Sequence, residues 1–149
     1  GRISSHGNSK GGTICLTGND MVISNSTIEQ SYAKVTGGAI FVTGDRVKIT
    51  GTDFKDSNVT NSTGGGIQVI GNYIEISDCS FEECHSNYGS ALYVDGHHAK
   101  VINSTFTNNN ATEDGGAVYV SGDYSELHNS TFTNNLAGDD GGAIYWEGD

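Results

Sequence analysis

The chain returns six times to the same short tetrad. Gly11-Gly12-Thr13-Ile14, Gly37-Gly38-Ala39-Ile40, Gly64-Gly65-Gly66-Ile67, Gly89-Ser90-Ala91-Leu92, Gly115-Gly116-Ala117-Val118 and Gly141-Gly142-Ala143-Ile144 follow one another at intervals of 26, 27, 25, 26 and 26 residues. Seven positions after each tetrad begins stands another glycine: Gly18, Gly44, Gly71, Gly96, Gly122 and Gly148. A fixed period of this size belongs to solenoids, whose units bury a core only by stacking on one another.

Within each unit the apolar residues alternate, the periodicity of a strand and not of a helix. The fourth and sixth positions read Ile14/Leu16, Ile40/Val42, Ile67/Val69, Leu92/Val94, Val118/Val120 and Ile144/Trp146. The eleventh and thirteenth begin Met21/Ile23, Val47/Ile49 and Ile74/Ile76 and weaken towards Ser125/Leu127. The eighteenth is Ile28, Phe54, Phe81, Phe106 and Phe132. Three short strands per unit, separated by Gly, Asn and Asp turns, predict an all-β chain: a parallel β-helix of about 26 residues per coil, with coils about 4.8 Å apart. Right-handed crossovers are the expectation, because they dominate parallel connections. Outward positions give the same register. Lys48, Glu75, Lys100 and Glu126 share one column and Glu29, Lys55 and Glu82 another, so unlike charges fall on neighbouring rungs. The glycine at the eighth position predicts a turn with positive φ.

This pattern accounts for a composition that would otherwise argue against a core. Leu, Ile, Val and Phe supply only 31 of 149 residues, about 21%, while glycine reaches 22 and proline is absent. A solenoid needs only a narrow inward column on each strand, and ladder hydrogen bonding leaves little room for proline. Coils are expected to begin at residues 11, 37, 64, 89, 115 and 141 of a single segment, 1–149. Residues 1–10 read as the tail of a preceding coil, since Ile3 falls in the aromatic column. Both ends fall mid-coil, which predicts either a piece of a longer solenoid on which further coils stack end to end or a chain whose ends pack on neighbours.

Seven basic against eighteen acidic residues give a net charge of −11. Nucleic acid and anionic lipid are excluded as partners on this ground, since both require clustered Lys or Arg. No apolar run is long enough to span a membrane, so no insertion by this segment is expected.

The segments Gly37-Gly38-Ala39-Ile40, Gly141-Gly142-Ala143-Ile144, Phe106-Thr107-Asn108-Asn109 and Phe132-Thr133-Asn134-Asn135 resemble the GGAI and FxxN repeats of chlamydial polymorphic outer-membrane proteins. The run Asn-Ser-Thr-Phe-Thr-Asn-Asn followed by Gly-Gly-Ala-Ile/Val-Tyr is closer to the β-helix repeats of adhesin-like surface proteins of methanogenic archaea. Ser31, Ser57 and Cys84 stand where FxxN has asparagine. The resemblance implies an extracellular, cell-surface protein that attaches to a surface protein or glycan. A carbohydrate-binding β-helix, a degenerate polysaccharide lyase or hydrolase, and a passive stalk are the competing readings, because one fold hosts all of them.

Candidate sites follow from the columns. The fifth position, predicted to face outward, reads Cys15, Phe41, Gln68, Tyr93, Tyr119 and Tyr145. Phe41, Tyr93, Tyr119 and Tyr145 form an aromatic stripe suited to sugar rings or an apolar partner, or else serve only as cross-strand stabilisers. Glu113 and Asp114 share a turn, and Asp139 and Asp140 occupy that turn one coil on. Four converging carboxylates either hold a hard cation such as Ca²⁺ or stay hydrated; no other cofactor is implied. N-glycosylation sequons begin at Asn25, Asn58, Asn61, Asn103, Asn110 and Asn129, and in a secreted protein they would be modification sites. Cys79 and Cys84 allow a short disulfide or two buried thiols, and Cys15 is left unpaired. His97-His98 alternates faces and reads as turn surface. Catalysis is argued against: Lys and Arg are absent after Lys100, no long insert walls a cleft, and nothing tunes a pair such as Asp114 and Asp140 for acid–base work.

Overall fold

The computed structural model describes residues 2–3 and 12–149. In it each periodic column becomes a rung of one of three parallel sheets. The first sheet stacks Ile14–Thr17, Ile40–Thr43, Ile67–Ile70, Leu92–Asp95, Val118–Ser121 and Ile144–Glu147. The second stacks Val22–Ser24, Lys48–Thr50, Glu75–Ser77, Lys100–Ile102 and Glu126–His128. The third stacks Arg2–Ile3, Thr27–Ala33, Asp53–Val59, Ser80–Glu82, Thr105–Thr107 and Thr131–Thr133. Its register pairs Ile3 with Ile28, Ile28 with Phe54, Phe81 with Phe54 and Phe106, and Phe106 with Phe132. The expected all-β parallel helix, with like residues over like, is therefore what the chain forms. Gly1 and residues 4–11, which hold most of the predicted tail and the first residue of the first tetrad, lie outside the described residues.

The third strand is longer than its apolar pattern predicts. Thr27–Ala33 and Asp53–Val59 run on past Gln30 and Asp56, which take left-handed φ of 50° and 49°. In later coils the same corner, at Glu83 and Asn108, separates the strand from short continuations at His85–Ser86 and Asn110–Ala111. Asp56 and Asn108 are habitual left-handed residues but Gln30 and Glu83 are not, so the corner leaves only a broken compositional mark.

The core is a column of inward side chains from all three sheets, with Ile40, Ile67, Leu92, Ile49, Ile76, Phe54, Phe81 and Phe106 among the fully buried members. Phe54, Phe81, Phe106 and Phe132 stack with centroids 4.7–4.9 Å apart and planes within 5° of parallel. Polar columns are satisfied along the stack. Asn109, fully buried, accepts from the Cys84 N–H and donates to Phe81 O and Asn135 Oδ1, and Asn135 donates to Phe106 O. Outside, the alternating charges meet as read from the sequence: Lys48 Nζ to Glu75 Oε1 at 2.8 Å, Lys100 Nζ to Glu126 Oε2 at 3.5 Å and Lys55 Nζ to Glu82 Oε2 at 3.3 Å. All six groups are largely solvated, so these pairs set register more than they add stability.

Candidate binding face

The outer face of the first sheet carries the fifth-position column. Tyr93 and Tyr119 stack at 4.9 Å with planes 14° apart, and Tyr119 and Tyr145 at 4.9 Å and 15°. All three are half-buried, so their rings lie across one sheet as a continuous stripe. Tyr119 O–H donates to Glu147 Oε2 at 3.2 Å. Burial, and then that bond to a carboxylate, push the Tyr119 phenol up to about 12. Burial and the nearby Asp95 and Glu147 carboxylates raise Tyr93 in the same direction. Tyr93 and Tyr119 are thus neutral phenols at every physiological pH.

Phe41 does not belong to this surface. It is 4% exposed and Gln68, the next rung, 6% exposed, against the outward exposure expected of the column. Tyr88, just before Gly89, lies edge-on to Tyr119 at 6.0 Å, so this column reaches over the sheet face. Thr63 bridges Tyr88 in register, and both Thr36 and Thr63 have enclosed hydroxyls. The described stripe therefore begins at Tyr93.

The four carboxylates of the last turn do not converge as one group. Glu113 and Asp139 approach each other, and their contact raises the Glu113 carboxyl above its usual range. Asp114 Oδ1 instead accepts the backbone N–H of Asp140 at 2.9 Å. Among the described residues no three His, Cys, Asp or Glu side chains gather as a metal-binding group. The parallel register explains the split: a carboxylate that caps the next coil's amide is turned away from its neighbours.

The sequons fall in two places. Asn25, Asn103 and Asn129 occupy one left-handed corner, with φ of 47–50°. Asn58, Asn61 and Asn110 line a groove of about 420 Å³ on the third-sheet side, with Tyr32 and His85. Asn58 Nδ2 donates to Asp56 Oδ1 and Asn103 Nδ2 to Asp78 Oδ1, so two of these amides already serve the fold.

A second aromatic ladder was not read from the sequence. Tyr73, His98 and Tyr124 stack at 4.7 and 5.1 Å along the corner after the first sheet, and Tyr73 and Tyr124 are well exposed. Their spacing of 25 and 26 residues carried the signal, but the same column begins with Asp20 and Arg46, which form a two-point ion pair. His98 is thus a member of a ring stack, whereas His97 Nδ1 accepts the Asp123 N–H at 3.0 Å.

Cys79 and Cys84 are free thiols, each donating to backbone carbonyls. Burial pushes Cys79 up to about 11 and Cys84 up to about 12. Since the thiolate is the reactive form, titration of the native protein with an aromatic disulfide reagent should modify exposed Cys15 alone on the fast timescale, with Cys79 and Cys84 slower by about 100-fold or more until denaturant is added. Fast modification of either would contradict their burial.

A family model described as "Right handed beta helix region" matches residues 38–148. No curated protein and no solved structure matches the chain.

Proposed function

From its place in the right-handed β-helix family, to which this chain belongs, we propose that it is a segment of an adhesin-like surface protein whose coils hold a contact face rigidly outside the cell. The observation that carries this reading is the stacked stripe of Tyr93, Tyr119 and Tyr145. Aromatic side chains held in a fixed array offer large contact area at little entropic cost on binding. The GGAI and FxxN repeats resemble those of surface adhesins, and the sequons and acidic charge agree with an extracellular setting. Its partner is a cell-surface protein or a glycan.

The groove lined by Tyr32, Asn58, His85 and Asn110 supports a second reading, a carbohydrate-recognising β-helix, because its planar amide and imidazole groups suit vicinal hydroxyls. Binding of labelled protein to immobilised cells and glycans separates the two. On the first reading Tyr119→Ala weakens binding about tenfold or more, while substitutions at Asn58 and Asn110 leave it unchanged. Binding that survives Tyr119→Ala would remove the stripe as the contact face. Binding by neither face would leave a passive stalk.

A further inference from the structure

The stripe's chemistry is more specific than its aromaticity. Each tyrosine ring covers its neighbour at 4.9 Å, so the faces of the ladder are largely occupied by one another, and the phenol oxygen rims carry much of its outward character. On one flank, two residues along the same strands, stand Asp95 and Glu147, with Ser121 between them. On the other flank, in the column of Tyr88, stand Asp114 and Asp140, placed there by the Gly89 N–H to Asp114 O and Gly115 N–H to Asp140 O bonds. Phenol oxygens and carboxylates are acceptors, and the carboxylates accept only.

Some outward acids are paired with Lys or Arg, as Glu75 is with Lys48, Glu82 with Lys55 and Asp20 with Arg46. The acids flanking the stripe are not. Beyond Lys100 the chain has eight carboxylates and no Lys or Arg, so 8 of its 11 net negative charges lie there. Among the described residues none of Asp95, Asp114, Asp140 and Glu147 lies within ion-pair distance of Lys or Arg. Two acidic rows with an oxygen-rimmed aromatic stripe between them form a straight acceptor channel along the solenoid axis.

Resting on the contact-face reading above, we propose that this channel binds an extended, basic peptide segment of a partner protein, with Lys or Arg at alternate positions. Its cationic groups would sit between the carboxylate rows and over the phenol rims. A strand places alternate side chains about 6.6 Å apart, and long basic stems adjust readily to rungs about 4.8 Å apart.

The test uses the whole chain and a short fluorescein-labelled peptide of alternating arginine and threonine, with a glutamate-for-arginine counterpart, read by anisotropy at low and near-physiological salt. The chain should hold the arginine peptide and not the glutamate one. Asp95→Asn with Glu147→Gln should weaken it about tenfold, and Tyr119→Ala by a similar factor. Asp56→Asn with Glu83→Gln removes the same charge from a distant corner and should change it less than about twofold. Melting temperatures confirm that each variant is folded. No binding, or equal losses for the two charge-removing pairs, would overturn the proposal. So would a neutral glycan whose binding needs Tyr119 but neither Asp95 nor Glu147, an outcome that leaves the contact-face reading standing. Peptide held by the channel in a chain whose cell attachment ignores Tyr119→Ala would instead defeat that reading and keep this one.

Discussion

Gly71→Ala should unfold the protein or lower its melting temperature by more than about 10 °C, a loss of about 4 kcal/mol or more. Two costs add. Gly71 has φ of 157°, a conformation closed to side chains that carry a Cβ, and a Cβ there would overlap the Gly44 carbonyl oxygen of the coil below. The overlap is with backbone, and that backbone cannot move freely: Gly44 N–H donates to Ile70 O at 3.0 Å and Gly71 N–H to Asp95 O at 2.9 Å. Opening the gap would break the ladder on both sides. Gly18 separates the two costs. Its φ is 150°, but a Cβ there meets only Met21 Sδ at 3.9 Å, so Gly18→Ala should show the conformational cost alone, about 1–3 kcal/mol. Circular dichroism melts of the two variants check this; equal losses would mean that the coils are not held as closely as this column requires.

Phe106→Ala should cost about 3–5 kcal/mol, among the largest losses of any side-chain truncation in the chain. The ring is fully buried and lies between Phe81, at 4.9 Å with parallel planes, and Phe132, at 4.7 Å. Truncation removes the transfer energy of the ring, leaves a cavity inside a ladder that cannot close without shortening the stack, and takes a stacking partner from each neighbour. Phe132→Ala should cost less, because that ring is half-buried and stacks on Phe106 alone among the described aromatic contacts. Chemical denaturation of both variants measures the difference, and a Phe132 loss as large as that of Phe106 would contradict it.

The period made most of this legible in advance. When the same residue types recur every 25 to 27 positions, strand register, inward columns, charge ladder and asparagine ladder follow from one alignment of the sequence on itself. Position-specific departures were harder to see. Phe41 shares a column with the half-buried tyrosines, yet it is only 4% exposed, a difference that position within the period does not carry. The left-handed corner at Gln30, Asp56, Glu83, Asn108 and Asn134 was harder to see because Gln and Glu interrupt its Asp and Asn positions. Tyr73, His98 and Tyr124 were visible as a column but obscured by Asp20 and Arg46 at its start. The carboxylates were placed on the correct turn, but backbone capping by Asp114, which divides them, depends on side-chain direction and not on spacing.

The binding account rests on residues 26 apart in sequence being neighbours on one accessible face. Light-driven tyrosine oxidation with a ruthenium tris-bipyridyl complex and persulfate, followed by peptide mapping of the monomer, tests that directly. Rings 4.9 Å apart should couple as intramolecular dityrosines joining Tyr93 to Tyr119 and Tyr119 to Tyr145. Coupling that omits both pairs, or joins Tyr119 chiefly to Tyr73 or Tyr124 at the neighbouring corner, would contradict the stacked face and the function built on it.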